Sequence, residues 1–339
     1  MTSDNIIRSF RALINIPSPS SFEKRISNHI LSTVEHFADE AYIDNFNNVI
    51  AIMRGSSKKS IMLSAHIDEV GMIVKYIDDN GYIYFDTIGA LDPCILVGQR
   101  VTVWHNDNMY MGVIGRRPIH ILSDSDVTTV KADEVWIDLG SKGSTVDVGD
   151  YITFTIDNFT EYGDGVYSSH SVDNKIGCAI LIELMAELQR NRSEHTLYFV
   201  FSTQEEVGCR GVQVAAQALN PNEAIIIDAI HATDYPTINN RVYGDVKLGK
   251  GAVFTYSVDI SRDLTERIVN GVKNSIQRYV TSRYSCTEAK SILITNIGVQ
   301  TAVISYPVRY MHSVNELFNI EDVESIYNII IHYIHSNKK

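Results

Sequence analysis

The sequence predicts an α/β fold class, in which helices flank a mixed sheet and a small all-β unit is inserted into the chain. Three observations predict this fold. The chain has 339 residues, which is more than one domain usually contains. Apolar runs alternate with helical patterns both before residue 71 and after residue 166. Between residues 72 and 165 the helical period disappears and short alternating runs separated by glycines replace it.

The first part of the chain is predicted to contain two helices and two buried strands. The helices break at "IPSPSS", and the strands are rich in valine and isoleucine. The predicted elements are helices over 3–13 and 22–37 and strands over 48–53 and 60–66.

The inserted unit is predicted to be a barrel or sandwich. Asn80-Gly81 lies between two alternating runs and is a signal for a two-residue hairpin turn. Many glycines separate the other runs, as is common in small all-β domains. The predicted strands lie within 72–77, 82–89, 100–106, 109–115 and 150–156.

The helix–strand alternation then returns. A long helix over 173–191 is apolar on most sides, which predicts that it is deeply buried. The strands that follow are continuously apolar, as expected of a sheet covered on both faces. The remaining predicted elements are strands over 195–203, 224–228 and 301–305 and helices over 264–280 and 320–337. Residues 1–71 and 166–339 should therefore form one α/β domain, with residues 72–165 inserted.

Composition excludes some classes of partner. Lysine and arginine number 29 against 41 aspartates and glutamates, for a formal charge of −12. This acidity argues against nucleic acid and anionic membranes as partners. No apolar stretch reaches the roughly 18 residues of a membrane span, and the N-terminus lacks the apolar core of a signal peptide. Four widely spaced cysteines indicate reduced thiols, so a cytoplasmic protein is expected.

Histidines and acids lie where the predicted strands end. In an open α/β sheet, ligands bind outside the carboxyl ends of the strands, so these side chains should meet at one edge. Four strand ends and one helix start contribute them: His66, Asp68, Glu205, Glu206, Asp228, His312 and Asp173.

These donor types fit a metal site. Imidazole with carboxylate suits zinc, cobalt, manganese or iron. Two histidines and three carboxylates exceed the needs of one catalytic zinc and suit two ions roughly 3.5–4 Å apart. Asp173, at the start of a helix, is the candidate for the carboxylate that bridges both ions.

The other acids have predicted supporting roles. The spacing of His66 and Asp68 places them on one face of an extended chain, where Asp68 can orient the imidazole. Glu205 and Glu206 are neighbours, and their side chains cannot point the same way. One of the two can bind metal while the other acts as a general base on the attacking water.

Five motifs in order resemble the tetrahedral, TET-type family of cytosolic metallo-aminopeptidases. The family includes glutamyl and deblocking aminopeptidases and members named CelM-type endoglucanases. The resemblance covers nearly the whole chain. Its motifs are "SAHIDEVGMIV", "SVDNKIGCAI", "STQEEVGCRG", "DAIHATDYP" and "TAVISYPVRYMHSVNE".

The resemblance implies a zinc-peptidase-like catalytic domain and two divalent ions per subunit, most simply zinc or cobalt, with manganese compatible. It implies that His66 and Asp228 hold one ion and that Glu206 and His312 hold the other. Asp173 would then bridge the two.

The resemblance also implies roles outside the ligand set. Glu205 would be the general base, and Asp68 would support the His66 side. The inserted domain would be PDZ-like or barrel-like and serve in dimerisation, with dimers assembling into a hollow dodecamer. The substrates would be peptides.

Two stretches depart from the family pattern. Where the family commonly has "GGTDA", this chain has "YSCTEAKSI", with Glu288 in place of aspartate and Ser285-Cys286 in place of glycines. Ala252 stands where proline is frequent. The metal ligands are intact, but these departures bear on substrate preference.

Three functions are consistent with these features. The leading one is an aminopeptidase acting on short peptides. An endoglucanase-type glycoside hydrolase is a second candidate, although adjacent Glu205 and Glu206 do not face each other across a cleft as its two carboxylates must. The third is a metal-binding relative without turnover, for which the altered "YSCTEA" loop is the support.

Overall fold

The computed structural model describes residues 2–121, 130–131, 134–141, 145–155, 159–272, 275–283 and 285–336. None of the helices in these ranges combines the length and the hydrophobicity needed to cross a bilayer. The α-helices are α1 Thr2–Ile14, α2 Lys24–Val34, α3 Val172–Arg190, α4 Arg210–Leu219, α5 Asn240–Tyr243, α6 Arg262–Val269, α7 Ala289–Ile292 and α8 Ile320–Ser336. The predicted end of the last helix, residue 337, lies outside the described residues.

The strands fall into three sheets. Those of the first part of the chain are β1 Glu40–Ile43, β2 Val49–Met53, β3 Ser60–His66, β4 Gly71–Ile77, β5 Ile83–Ile88, β6 Arg100–His105, β7 Asn108–Gly115, β8 Trp136–Asp138 and β9 Tyr151–Phe154. The others are β10 Thr160–Gly163, β11 Val166–Ser169, β12 Thr196–Ser202, β13 Glu223–His231, β14 Val253–Tyr256, β15 Gln277–Val280, β16 Gln300–Val308 and β17 Glu316–Asn319.

A mixed eight-stranded sheet forms the centre of the α/β unit. Its strand order is β1-β2-β12-β3-β13-β16-β14-β15. β3 lies between β12 and β13 and is parallel to both, so the two sequence halves share one sheet. β2 is antiparallel to β12, and β14 is antiparallel to β16. The predicted fold class is confirmed.

Both faces of this sheet are covered, as the continuous apolar strands predict. Successive residues of β3 alternate between two clusters: Leu63 packs with α1, α3 and α8, and Met62 packs on the opposite face with α4 and α7. α3 lies in the larger cluster, where Ile176 and Ile180 are fully buried. This packing holds the carboxyl ends of β3, β12 and β13 at one edge.

A closed antiparallel barrel is inserted after β3. Its strands follow the order β4-β5-β8-β7-β6-β9 around an apolar interior. Gly112 allows β7 to approach β8, since a Cβ there would lie 2.8 Å from Ile137 Cγ2. The hairpin at Asn80-Gly81 forms, but its loop has five residues rather than the predicted two, because Ile77 pairs with Ile83.

The barrel strands end before the predicted boundary. β9 ends at Phe154, and β10 pairs with β11 in a separate sheet that also contains β17. The predicted strand over 150–156 includes residue 156, which lies outside the described residues. The division of the chain at residues 72 and 165 stays a prediction.

The predicted helix over 264–280 is wrong in its second half. α6 ends at Val269, Asn270-Gly271 follows it, and residues Gln277–Val280 form strand β15, parallel to β14. The amphipathic period of the sequence continues past the end of α6. Residues Gln277–Val280 nevertheless form a strand, because they pair with β14 at the edge of the sheet. Residues 273–274 of the predicted helix lie outside the described residues.

A buried ion pair joins the loop after β3 to α3. Lys175 is fully buried, and its Nζ lies 2.9 Å from Glu69 Oε2 and 2.9 Å from the main-chain oxygen of Ile16. Glu69 Oε1 accepts the amide of Ser18 at 2.7 Å. Because Glu69 and Lys175 lie within three residues of His66 and Asp173, the pair fixes two segments of the candidate site relative to each other.

We expect Lys175→Met to lower the free energy of unfolding by about 3–5 kcal/mol, because it leaves the Glu69 carboxylate buried without its cation. Urea unfolding followed by circular dichroism measures this loss. The double variant Glu69→Gln, Lys175→Met should recover part of it, and Lys24→Met, at an exposed position of α2, is the control. A loss no larger than that of Lys24→Met would contradict the role of the pair.

Candidate metal centre

Five of the predicted side chains converge at the carboxyl edge of the large sheet. His66 ends β3, Asp228 lies in β13, and Glu206 follows β12. His66 Nε2 lies 3.1 Å from Asp173 Oδ1 and 3.5 Å from Asp228 Oδ1. His312 Nε2 lies 3.4 Å from Asp173 Oδ2 and 3.2 Å from Glu206 Oε1. The two oxygens of Asp173 therefore face two different histidines, one on each side.

The chemistry of the donors fits divalent metal. His66, Asp173 and Glu206 each offer a ligand atom, and these atoms lie within 4.8 Å of one another. Oε1 of Glu206 is buried and, although His312 Nε2 lies 3.2 Å away, it accepts no hydrogen bond of regular geometry from the described residues. His312 Nδ1 donates to the main-chain oxygen of Ala90 at 2.9 Å, so Nε2 is the ring nitrogen that could bind a metal ion. His66 Nδ1 likewise donates to the Asp68 main-chain oxygen at 3.1 Å.

The histidines and carboxylates hold each other in charged forms. Burial lowers the pKa of His312, but the contacts with Asp173 and Glu206 outweigh burial and raise that pKa to about 11. Burial opposes ionisation of Asp173, yet His312 and His66 bring its pKa below the ordinary value. The protonated imidazoles thus place positive charge between the carboxylates. A divalent cation bound there would compensate the same negative charge.

Asp68 holds the loop that carries both glutamates. Its carboxylate is fully buried and accepts the amide of Glu205 at 3.0 Å and that of Glu206 at 3.1 Å. Ser20 Oγ also donates to it at 2.6 Å. Its distance to His66 Nδ1 is 3.6 Å, too long for a hydrogen bond. The contacts that Asp68 makes therefore support the glutamate loop more directly than the His66 ring.

The two glutamates diverge, as their adjacency predicts. Glu206 faces His312, whereas Glu205 Oε1 accepts from Cys209 Sγ at 3.1 Å. Burial raises the pKa of Glu205 well above its ordinary value, and the nearby carboxylates of Asp228 and Glu206 raise it further. A carboxyl group with a raised pKa is suited to proton transfer near neutral pH.

Glu316 also belongs to the centre, although the sequence analysis assigned it no role. It is buried at the start of β17, and its Oε1 accepts the amide of His312 at 2.6 Å. Its Oε2 accepts the amide of Asp173 at 3.2 Å. One carboxylate thus fixes the main chain of two predicted ligands from distant segments. Its position four residues after His312, in "HSVNE", is the only signal the sequence offered.

Glu288, which departs from the family pattern, lies in the core of the α/β unit. It is buried between β3 and β12, accepts Ser64 Oγ at 2.6 Å and also accepts Ser202 Oγ. Burial raises its pKa to about 7 although the two hydroxyls lower it. Ser202 pairs in register with His66. The Ser202 hydroxyl therefore connects Glu288 to the strand position beside a predicted ligand.

Comparison with known proteins gives the family. The model of the M42 glutamyl aminopeptidase family matches residues 47–329. The lysyl aminopeptidase of Pyrococcus furiosus is 30% identical over 328 residues, covering 93% of this chain and 92% of that protein.

Solved structures agree with the sequence match. A TET aminopeptidase from a marine sediment archaeon of the Thaumarchaeota superposes with a TM-score of 0.92 at 29% identity, covering 98% of this chain and 97% of that one. The TET1 peptidase of Pyrococcus horikoshii, described as assembling into a tetrahedron or a large octahedral shell, gives 0.86 at 28% identity, covering 97% and 99%. The resemblance seen in the five motifs is confirmed, and the chain belongs to the M42 aminopeptidase family.

Proposed function

We propose that this chain hydrolyses the N-terminal residue from short peptides at a dinuclear metal site, with a glutamate as the general base. The observation that carries the proposal is the position of Asp173, whose two carboxylate oxygens face His66 and His312 separately. A bridging carboxylate needs one oxygen directed at each of two ions. Membership of an aminopeptidase family supports the reaction class.

Two divalent ions, zinc or cobalt with manganese also compatible, are assigned to five ligands. His66 and Asp228 would hold one ion, Glu206 and His312 the other, and Asp173 both, as the pairings of these side chains support. When bound, the ions polarise the scissile carbonyl and lower the pKa of the attacking water.

The protein's own residues supply positioning and proton transfer. Glu205 takes the proton from the attacking water and passes it to the leaving amine. Its raised pKa and its orientation away from His312 support this assignment. Asp68 accepts the amides of Glu205 and Glu206, and Glu316 accepts those of Asp173 and His312. These hydrogen bonds fix the main chain that carries the reacting groups.

The two alternative functions fit this site poorly. A glycoside hydrolase needs two carboxylates facing each other across its substrate and gives the histidines no role. A metal-binding relative without turnover would have no use for a half-buried Glu205 whose amide Asp68 holds beside the ligands.

We expect Glu205→Gln to lower kcat by ~10²–10⁴-fold while metal content and folding stay nearly unchanged, because glutamine keeps the size of the side chain but cannot accept the proton. Glu206→Gln should instead weaken metal binding and recover activity partly in excess metal. Steady-state hydrolysis of aminoacyl-nitroanilides, with elemental analysis of each variant, measures both effects.

Two results would contradict these assignments. Loss of ions in Glu205→Gln with retention in Glu206→Gln would exchange the two roles. Full activity of Glu205→Gln would place the base elsewhere. Gln204→Asn, which changes the neighbouring amide side chain at a partly buried position, is the matched control for the loop.

We also propose that the chain forms homo-oligomers in the cytoplasm. Its substrates are peptides, and neither nucleic acid nor membrane is a partner. The acidic charge of −12 and four free cysteines support this setting. The barrel exposes large apolar side chains, which favours a protein interface there. They include Ile119 (67% exposed), Ile121 (65%) and Val148 (65%).

We expect light scattering to give the mass of a homo-oligomer, with dimers assembling into a dodecamer. The double variant Ile119→Asp, Ile121→Asp should reduce that mass, because it places charge in an apolar contact. Val242→Asp, at an exposed position on α5, is the control. A monomeric wild-type chain at working concentration would contradict the assembly.

A further inference from the structure

A cavity opens beside the metal centre, between the α/β unit and the barrel. Its volume is about 270 Å³, and Asp173 and His312 form part of its wall. Apolar side chains from both units line part of the rest, among them Ile14, Val70, Trp104, Met109, Met111 and Phe154. The volume suits one or two residues of a peptide rather than a larger ligand.

The hydroxyl and indole groups of the barrel wall are already paired with each other. Thr102 Oγ1 and Thr155 Oγ1 share a hydrogen bond of 2.8 Å. Trp104 Nε1 donates to Thr153 Oγ1 at 2.9 Å. These groups therefore present carbon surface and satisfied polar atoms to the cavity.

The carboxylates of Glu69 and Glu316 in the cavity wall already have partners. Glu69 pairs with Lys175 and accepts the amide of Ser18. Glu316 accepts the amides of His312 and Asp173. The described wall residues include no lysine or arginine that could pair with an acidic substrate side chain. Outside the metal centre, they also include no unpaired carboxylate that could bind a basic substrate side chain.

His170 adds no charge to the wall of the cavity. Its Nε2 donates to the main-chain oxygen of Ile14 at 3.1 Å, which makes Nδ1 the unprotonated nitrogen. Nδ1 is buried and has no hydrogen-bond partner among the described residues. Burial lowers the pKa of His170 to about 4, so the ring is neutral at physiological pH.

We propose that this cavity binds an uncharged, preferably aromatic side chain of one of the two residues that flank the scissile bond. The inference rests on the proposed peptidase function and adds a substrate class to it. Phenylalanine, tyrosine and tryptophan fit best, because each buries a large ring against the apolar part of the wall.

The expected selectivity follows from the lack of unpaired charged groups among the described wall residues outside the metal centre. A charged side chain would lose its water without gaining a partner, so kcat/KM for acidic or basic residues should be about 100-fold lower than for tyrosine. The experiment uses the metal-loaded oligomer and two substrate panels: aminoacyl-nitroanilides that vary the N-terminal residue, and dipeptides that vary the second residue.

Two variants test the assignment by different routes. Met111→Glu, at a position 65% exposed on β7, places a carboxylate at the cavity and should raise kcat/KM for lysine relative to tyrosine by at least tenfold. Val113→Glu is the matched control, because it lies on the same strand but not in the cavity wall. His170→Phe exchanges a neutral ring for another and should leave the preference of phenylalanine over lysine unchanged.

The outcomes separate this inference from the proposed function. Selectivity for aromatic side chains at one of the two positions, altered by Met111→Glu and not by Val113→Glu, supports the pocket. Hydrolysis with equal rates for charged and aromatic side chains, or selectivity that Met111→Glu leaves unchanged, overturns the pocket and keeps the peptidase. No hydrolysis of any substrate by the metal-loaded chain overturns the proposed function itself.

Discussion

The structure depends on compensating the charge of several carboxylates gathered at one buried sheet edge. Asp173, Asp228 and Glu206 lie within contact of two imidazoles, and Glu205 and Asp68 lie beside them. Ionised acids so close together repel each other and lose hydration, so they require positive charge between them. The histidines provide it as protonated rings, and divalent ions suit the same donors. The location of the site at the carboxyl ends of parallel strands follows from the fold.

A second set of acids holds this first set in place through main-chain amides. Asp68 accepts the amides of Glu205 and Glu206, and Glu316 accepts those of Asp173 and His312. The Glu69–Lys175 pair then ties the loop after β3 to α3. Segments from distant parts of the chain are thereby fixed relative to one another, which holds the side chains of the candidate metal centre in place.

The sequence predicts much of this because its signals are local. The end of a strand is marked by His66, and the buried strands and α3 are marked by apolar runs, so the fold class and the convergence of ligands could be predicted. The role of Glu316 could not, because it depends on a contact with Asp173, 143 positions away in the chain. The helix error at Gln277–Val280 has a related cause: pairing with β14 outweighs a local helical period. The cavity lies between two units whose relative placement no local pattern encodes.

We propose that the bridging position of Asp173 creates a site for two ions. The decisive measurement is elemental analysis of metal-replete protein after removal of loosely bound metal. We expect about two divalent ions per chain in the wild type and a clear loss of ions in Asp173→Ala with the fold retained. One tight ion per chain in the wild type, or an unchanged metal content in Asp173→Ala, would contradict it.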